Sequence, residues 1–187
     1  VGWAMENRID GASFIDTGRT ECPAETATVT VEAGGSVTLY KFVGICSSLN
    51  HESSDIAEAA ARVADRAASA GFDVVSEEHK AGWASIWDNA DIEIEGDDEA
   101  QQGIRYCIFQ LLQTYTGRDS RLNVGPKGFT GEKYGGGTYW DTEAYCLPFY
   151  MATAGREVAR NLLLYRYNQL DAAIENARKL GFDGGAA

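Results

Sequence analysis

Basic residues are few here: 16 Lys and Arg stand against 28 Asp and Glu, a formal net charge of -12. A nucleic-acid backbone is held mainly by clustered Lys and Arg, so this balance argues against nucleic acid as a partner. It argues equally against an anionic membrane surface. A neutral sugar meets no such repulsion, whereas an anionic substrate would need a local basic pocket. Metal ligands are also scarce. The chain has only two histidines, His51 and His79, and its four cysteines form no C-x-x-C pair, so a zinc site is not expected. Cys22, Cys46, Cys107 and Cys146 are scattered, which fits a reducing cytoplasm better than a disulfide framework. No apolar run reaches the roughly 18 residues of a membrane-spanning helix, and no secretory signal is visible. A cytoplasmic protein is therefore expected. Phosphate-loop motifs are missing too: there is no G-x-x-x-x-G-K-[ST], and no strand leads into a G-x-G-x-x-G. The sequence begins at Val1 and stops at Gly184-Gly185-Ala186-Ala187, and both ends read as cut rather than natural.

What is present looks like an ordinary folded protein, with 44% hydrophobic and 24% charged residues in 187. The first 50 residues have strand character. Thr28-Val29-Thr30-Val31 alternates polar and apolar side chains, and after the turn-like Glu32-Ala33-Gly34-Gly35 a β-rich run spans Val37 to Val43; the pattern predicts a hairpin. Beyond Asn50 the period becomes helical. Asp55 and Glu58 suggest a capping box for a helix with Ile56, Ala59, Ala60, Val63 and Ala67 on one face, ending at Gly71. A second helix is expected after Ser76, with Trp83, Ile86 and Trp87 packed together, and Asp91 to Glu99 reads as an acidic linker. From Gln101, the stripe Ile104, Ile108, Leu111, Leu112 and Tyr115 predicts a helix ending near Gly117. Further helices are expected from Asp141 to Thr153, bent by Pro148, then after Gly155, and from Asp171 to Leu180, closed by Gly181. Successive helices on short loops indicate a helical array or barrel.

The stretch between those helices carries the chemistry. Six glycines (125, 128, 131, 135, 136 and 137) are interleaved with Phe129 and Tyr134 and followed by Tyr139 and Trp140. Glycine allows close approach by a ligand, and flat aromatic area suits the C–H face of a pyranose. A neighbouring carboxylate accepts charge-assisted bonds from adjacent sugar hydroxyls. Trp140 directly followed by Asp141 has that combination. The bland alternatives stay open on spacing: Asp141 as an N-cap with Thr142 and Glu143 in a first turn, and Trp140 as core. Lys127, Lys133 and Glu132 read as solvated loop residues.

The run from Arg121 to Tyr150 contains Gly-Pro-Lys-Gly-Phe-Thr-Gly-Glu-Lys-Tyr at 125–134 and Tyr-Trp-Asp-Thr-Glu at 139–143. Upstream lies Ile-Phe-Gln-Leu-Leu-Gln-Thr-Tyr-Thr-Gly at 108–117, and downstream Arg-Asn-Leu-Leu-Leu-Tyr-Arg-Tyr at 160–167. Together these resemble the disaccharide phosphorylases of glycoside hydrolase family 65. The 125–134 lead-in points to members acting on maltose rather than trehalose or kojibiose. The resemblance implies a mainly α fold. Residues 1–50 would be the last strands of a β-sandwich domain, 51–99 linker helices, and 100–187 the first helices of an (α/α)6 catalytic barrel. It also implies an inverting reaction of maltose with inorganic phosphate to β-glucose 1-phosphate and glucose, by an enzyme commonly found as a homodimer. Trp140 and Asp141 fall on the family's contacts to the non-reducing glucose. The family's general acid, a Glu, lies further along than this chain reaches, as do its phosphate ligands. No residue here is therefore expected to be catalytic, and the 187-residue piece alone is expected to be inactive. A partial barrel would also expose apolar faces, Leu162-Leu163-Leu164 among them. A carbohydrate-binding module that retains only the loop is the reading from another functional class.

Overall fold

The computed structural model describes residues 1–9, 15–16, 25–126, 128 and 137–185. It is mostly helical with small antiparallel sheets. Strands β1 (Gly2–Ile9), β2 (Ile15–Asp16), β3 (Glu25–Thr26) and β4 (Leu39–Cys46) come first. Helices α1 (Ile56–Ala70), α2 (Phe72–Ala90) and α3 (Asp98–Thr114) follow. A single π turn, Thr142–Cys146, then runs into α4 (Leu147–Thr153), and α5 (Arg156–Asn168) and α6 (Leu170–Lys179) complete the order. Contacts divide the chain into two compact units, Val1–Ala81 and Gly82–Ala187.

In the first unit β1 pairs antiparallel with β4, Gly2 opposite Cys46 and Ile9 opposite Leu39, while β2 pairs with β3. The expected hairpin is corrected. Residues 28–31 have no ladder partner among the described residues, and the strand ending at Cys46 takes the N-terminal segment instead. The turn survives, with the Gly35 amide donating to the Glu32 carbonyl at 2.9 Å. The reason lies in packing: β4 alternates, burying Phe42 and Cys46 beside the alanine face of α1 and leaving Leu39, Val43 and Ile45 exposed. Ala59, Ala60, Ala64 and Ala68 form that buried face, so the helix backbone can lie close to the strand. Gly44 completes the fit, because a Cβ there would overlap the Ala60 carbonyl oxygen.

The expected capping box at Asp55 is not made. Asp55 is already in the helical region, its carboxylate accepts from the Ser54 hydroxyl at 2.8 Å, and Glu58 pairs with Arg62 at 2.6 Å. Gly71, at φ 88°, separates α1 from α2, which starts at Phe72, earlier than the sequence indicated. Propensity explains that miss, because Phe72 to Ser76 contains no helix breaker to mark a later start.

The second unit is built around α3. Asp97 caps it by accepting from the Ala100 amide at 2.9 Å, so the helix begins three residues before Gln101. The acidic connector is tied down, with Asp91 accepting both guanidinium arms of Arg105 at 2.8 and 2.6 Å. Ile108, Leu112 and Tyr115 enter a core with Ala90, Val124, Tyr150, Val158 and Leu162. Trp83 packs against Phe109 with ring centroids 5.0 Å apart, which is the packing role expected of it. Tyr150, fully buried, donates its hydroxyl to the Leu111 carbonyl at 2.7 Å. Gly117, at φ 70°, lies so close to Val158 that any side chain would collide, and its carbonyl accepts from the Asn161 side-chain Nδ2 at 2.6 Å. Of the three leucines flagged as exposed in a partial barrel, Leu162 is fully buried, Leu163 is 50% exposed and Leu164 is intermediate.

Gly44→Ala should loosen the first unit by about 2–3 kcal/mol, because the added methyl meets helix backbone that cannot rotate away. Hydrogen exchange at the amides of β4 and α1 should accelerate, and unchanged protection there would contradict the close-packing account.

Candidate functional site

The approach to the motif is held at several points. The Asp119 carboxylate accepts from the Arg121 side chain, with the shortest contact at 2.6 Å, and from the Arg121 amide at 2.9 Å. These bonds hold the Asp119 carboxyl at about 2, well below the ordinary carboxylate range; side-chain bonds from Arg121 contribute most and its backbone amide next. At Gly125 the chain turns, the Gly128 amide donating back to the Gly125 carbonyl at 3.0 Å, with Gly128 at φ 69°. Phe129, Glu132, Lys133 and Tyr134 lie outside the described residues, as do Lys127 and the glycines at 131, 135 and 136.

The chain is described again from Gly137. Thr142 is buried, and its hydroxyl donates to the Val124 carbonyl at 3.3 Å, joining the motif to the start of the glycine loop. Backbone carbonyls cap the first turn: Tyr139 accepts from the Thr142 amide at 3.2 Å, and Trp140 from the Glu143 and Ala144 amides at 3.1 and 3.0 Å. Asp141 is itself helical (φ -53°, ψ -34°) and makes no side-chain cap bond. Of the two roles spacing left open for it, capping is therefore not used. Trp140 is not core either: it is 67% exposed and tilted against exposed Tyr145, with ring centroids 6.1 Å apart. The bend expected at Pro148 takes the form of the π turn, in which the Leu147 amide bonds five residues back to the Thr142 carbonyl. Pro148 follows with no N–H to continue an α ladder there.

Asp141 lines a recess of about 250 Å³ together with Gln110, Gln113 and Thr114 of α3, Gly128 and Cys146. Burial, then the charges of Asp141 and Glu143, push the Cys146 thiol up. The volume falls below the roughly 300 Å³ at which drug-sized sites begin, so one ring is the most it suits. Trp140 is not part of its lining. The structure thus brings Asp141, but not Trp140, to the recess. A larger hollow of about 460 Å³, lined among others by Asn89, Tyr115 and Arg118, contains none of the motif residues. The smaller recess is the better candidate because it holds a carboxylate with no hydrogen-bond partner among the described residues.

Sequence reasoning passed over Arg166, which lies in the last turn of α5. Its Nε donates to Glu143 Oε1 at 2.8 Å, and its terminal nitrogens reach Glu143 Oε2, the Thr138 hydroxyl and carbonyl, and the Tyr139 carbonyl. No local pattern could have revealed a pairing across 23 to 28 residues. The same contacts commit Glu143 to an ion pair with Arg166. Among the described residues no cluster of His, Cys, Asp and Glu is placed to hold a metal ion, and no helix is long and apolar enough to cross a membrane.

Two family models match the chain: the glycosyl hydrolase family 65 N-terminal domain over residues 1–86, and the central catalytic domain of the same family over 105–187. The chain belongs to glycosyl hydrolase family 65. Within family 65 it is 53% identical over 147 residues to maltose phosphorylase of Bacillus subtilis (strain 168), covering 79% of this chain and 19% of that protein. It is 40% identical over 153 residues to α,α-trehalose phosphorylase of Thermoanaerobacter brockii, covering 82% of this chain and 20% of the relative. A solved structure described as a kojibiose phosphorylase from the human microbiome superposes with a TM-score of 0.72 at 30% identity, over 98% of this chain and 24% of that one. The chain thus spans about a fifth of the length of these curated relatives.

Because the folded state holds the Asp119 carboxyl down, the pair's contribution is complete above about pH 4, the unfolded carboxylate value, and fades as pH falls through about 2. Arg121→Ala should raise the Asp119 titration midpoint, followed by carboxyl NMR shifts, toward the ordinary range, the backbone amide of residue 121 still holding it somewhat low. A midpoint unmoved by the substitution would show that Arg121 is not the cause.

Proposed function

We propose that this chain supplies one wall of the glucose subsite of an inverting disaccharide phosphorylase acting on maltose. The observation that carries the proposal is the Asp141 carboxylate: it begins the helical turn of the Tyr-Trp-Asp-Thr-Glu motif without capping it, and lines a recess sized for one ring. A carboxylate in that place can accept from two neighbouring sugar hydroxyls. Exposed Trp140, next to Tyr145, offers an aromatic plane to the same sugar from outside the recess. Maltose is favoured over trehalose and kojibiose by the 53% identity to a maltose phosphorylase, against 40% over 153 and 44% over 115 residues to two trehalose enzymes and 46% over 116 residues to a kojibiose enzyme.

In the proposed reaction a carboxylic acid outside residues 1–187 protonates the glycosidic oxygen, and inorganic phosphate attacks the anomeric carbon from the opposite face. The C–O bond to the second glucose breaks as the bond to phosphate forms, giving β-glucose 1-phosphate and glucose. Phosphate takes the place that activated water holds in an inverting hydrolase. The fold that goes with this reading is an (α/α)6 barrel whose first helices are those from α3 onward, preceded by linker helices and the end of a β-sandwich. The enzyme would work in the cytoplasm as a homodimer, with phosphate as co-substrate and no other cofactor. The 187-residue chain by itself would not turn over.

The protein encoded by the complete reading frame should release β-glucose 1-phosphate from maltose only when phosphate is present, and faster than from trehalose or kojibiose. Preference for another of the three, or phosphate-independent hydrolysis, would overturn the substrate or the reaction type respectively. Asp141→Ala should cost about 2–4 kcal/mol in kcat/KM, by loss of a charged acceptor. Unchanged kinetics would remove Asp141 from the subsite. The isolated chain should yield no glucose 1-phosphate from maltose in phosphate buffer, and its release would show that the acid is already present.

A further inference from the structure

We infer that Arg166 is the positioning residue of this sugar site, setting where the Asp141 carboxylate stands without touching the sugar itself; the inference rests on the reading of Asp141 as a sugar contact. Five hydrogen bonds leave one guanidinium. Nε donates to Glu143 Oε1 at 2.8 Å and one terminal nitrogen to Glu143 Oε2 at 3.2 Å. That same nitrogen donates to the Tyr139 carbonyl at 2.5 Å. The other terminal nitrogen donates to the Thr138 hydroxyl at 2.7 Å and to the Thr138 carbonyl at 3.3 Å.

The partners fall on both sides of Trp140 and Asp141. Thr138 and Tyr139 precede the pair, and Glu143 follows within the π turn. A rigid planar fork that holds the backbone ahead of the motif and a side chain behind it leaves Asp141 little freedom to shift. The Tyr139 carbonyl also accepts the Thr142 amide that starts the turn, so Arg166 acts on the acceptor that opens the helix. Displacing it would let the first turn unwind toward the glycine-rich stretch. An ordinary exposed ion pair would not justify this assignment, since such pairs contribute little. Here the Arg166 and Glu143 side chains are 33% and 26% exposed, and three of the five bonds are not to a carboxylate at all.

A lysine in this place keeps the charge but cannot reach both sides at once. A valine at 138 removes one hydroxyl partner and leaves the ion pair with Glu143 intact. In the protein from the complete reading frame, Arg166→Ala and Arg166→Lys should each lower kcat/KM for the disaccharide by about 10–100-fold, the scale of a misplaced contact. The KM for phosphate should change less than about twofold, because in the proposed reaction this loop contacts the sugar and not the phosphate. Thr138→Val, which is expected to fold normally, should show the same split at a few-fold. If thermal stability falls while disaccharide kinetics stay at the wild-type value, Arg166 is structural only and the inference is overturned. Equal rises in both KM values would overturn it too. Asp141→Asn separates the two levels of the argument. A defect in that variant with unaffected Arg166 variants sinks only the positioning role, whereas wild-type protein inactive on all three disaccharides with phosphate sinks the sugar-site reading and this inference together.

Discussion

The guanidinium of Arg166 is the constraint on which the geometry of the motif depends. A glycine-rich segment costs more backbone entropy to order than any other. A loop of that kind can present a side chain in a fixed place only if something outside it fixes its ends. Arg166 does so at the exit, through Thr138, Tyr139 and Glu143. At the entrance the work is shared by Thr142, which donates to the Val124 carbonyl, and by the pair of Asp119 and Arg121. Asp141 sits where these ties converge.

The helical core of the second unit supports that arrangement. Asn161 and Val158 hold Gly117 from α5, while Tyr150 of α4 bonds to Leu111 of α3, so the helices flanking the loop are joined by buried polar contacts as well as by apolar packing. The π turn adds one residue to the first turn of the helix that carries the motif, a feature often found where helices serve function. With the backbone of Tyr139 and Trp140 capping the turn, the Asp141 carboxylate makes no cap bond of its own.

Much of the second unit was legible in the sequence because its signals are local. The stripe Ile108, Leu112 and Tyr115, a helix end near Gly117 (α3 stops three residues earlier, at Thr114), the break at Gly155 and the disturbance at Pro148 follow from periodicity and backbone chemistry within a few residues. The first unit was harder. Thr28 to Val31 alternates as a strand should, but β4 found its partner in the N-terminal segment, 30 to 44 residues away along the register, and alternation says nothing about pairing. Asp55 and Asp141 both carry the composition of a cap, and at both the backbone enters the helix before the side chain can bond. Asp97 does cap, although it stood within a stretch read as linker. The site was half legible: Asp141 and Trp140 could be singled out by type and order, whereas Arg166, Gln110 and Gln113 come to the motif only through tertiary folding.

The most direct test of the central claim is a crystal structure of the protein from the complete reading frame with glucose bound. The account predicts both Asp141 carboxylate oxygens within about 2.5–2.7 Å of sugar hydroxyls, with the Arg166 bonds to Thr138, Tyr139 and Glu143 unchanged. Glucose bound elsewhere, with Asp141 turned onto a backbone amide of its own helix, would contradict it.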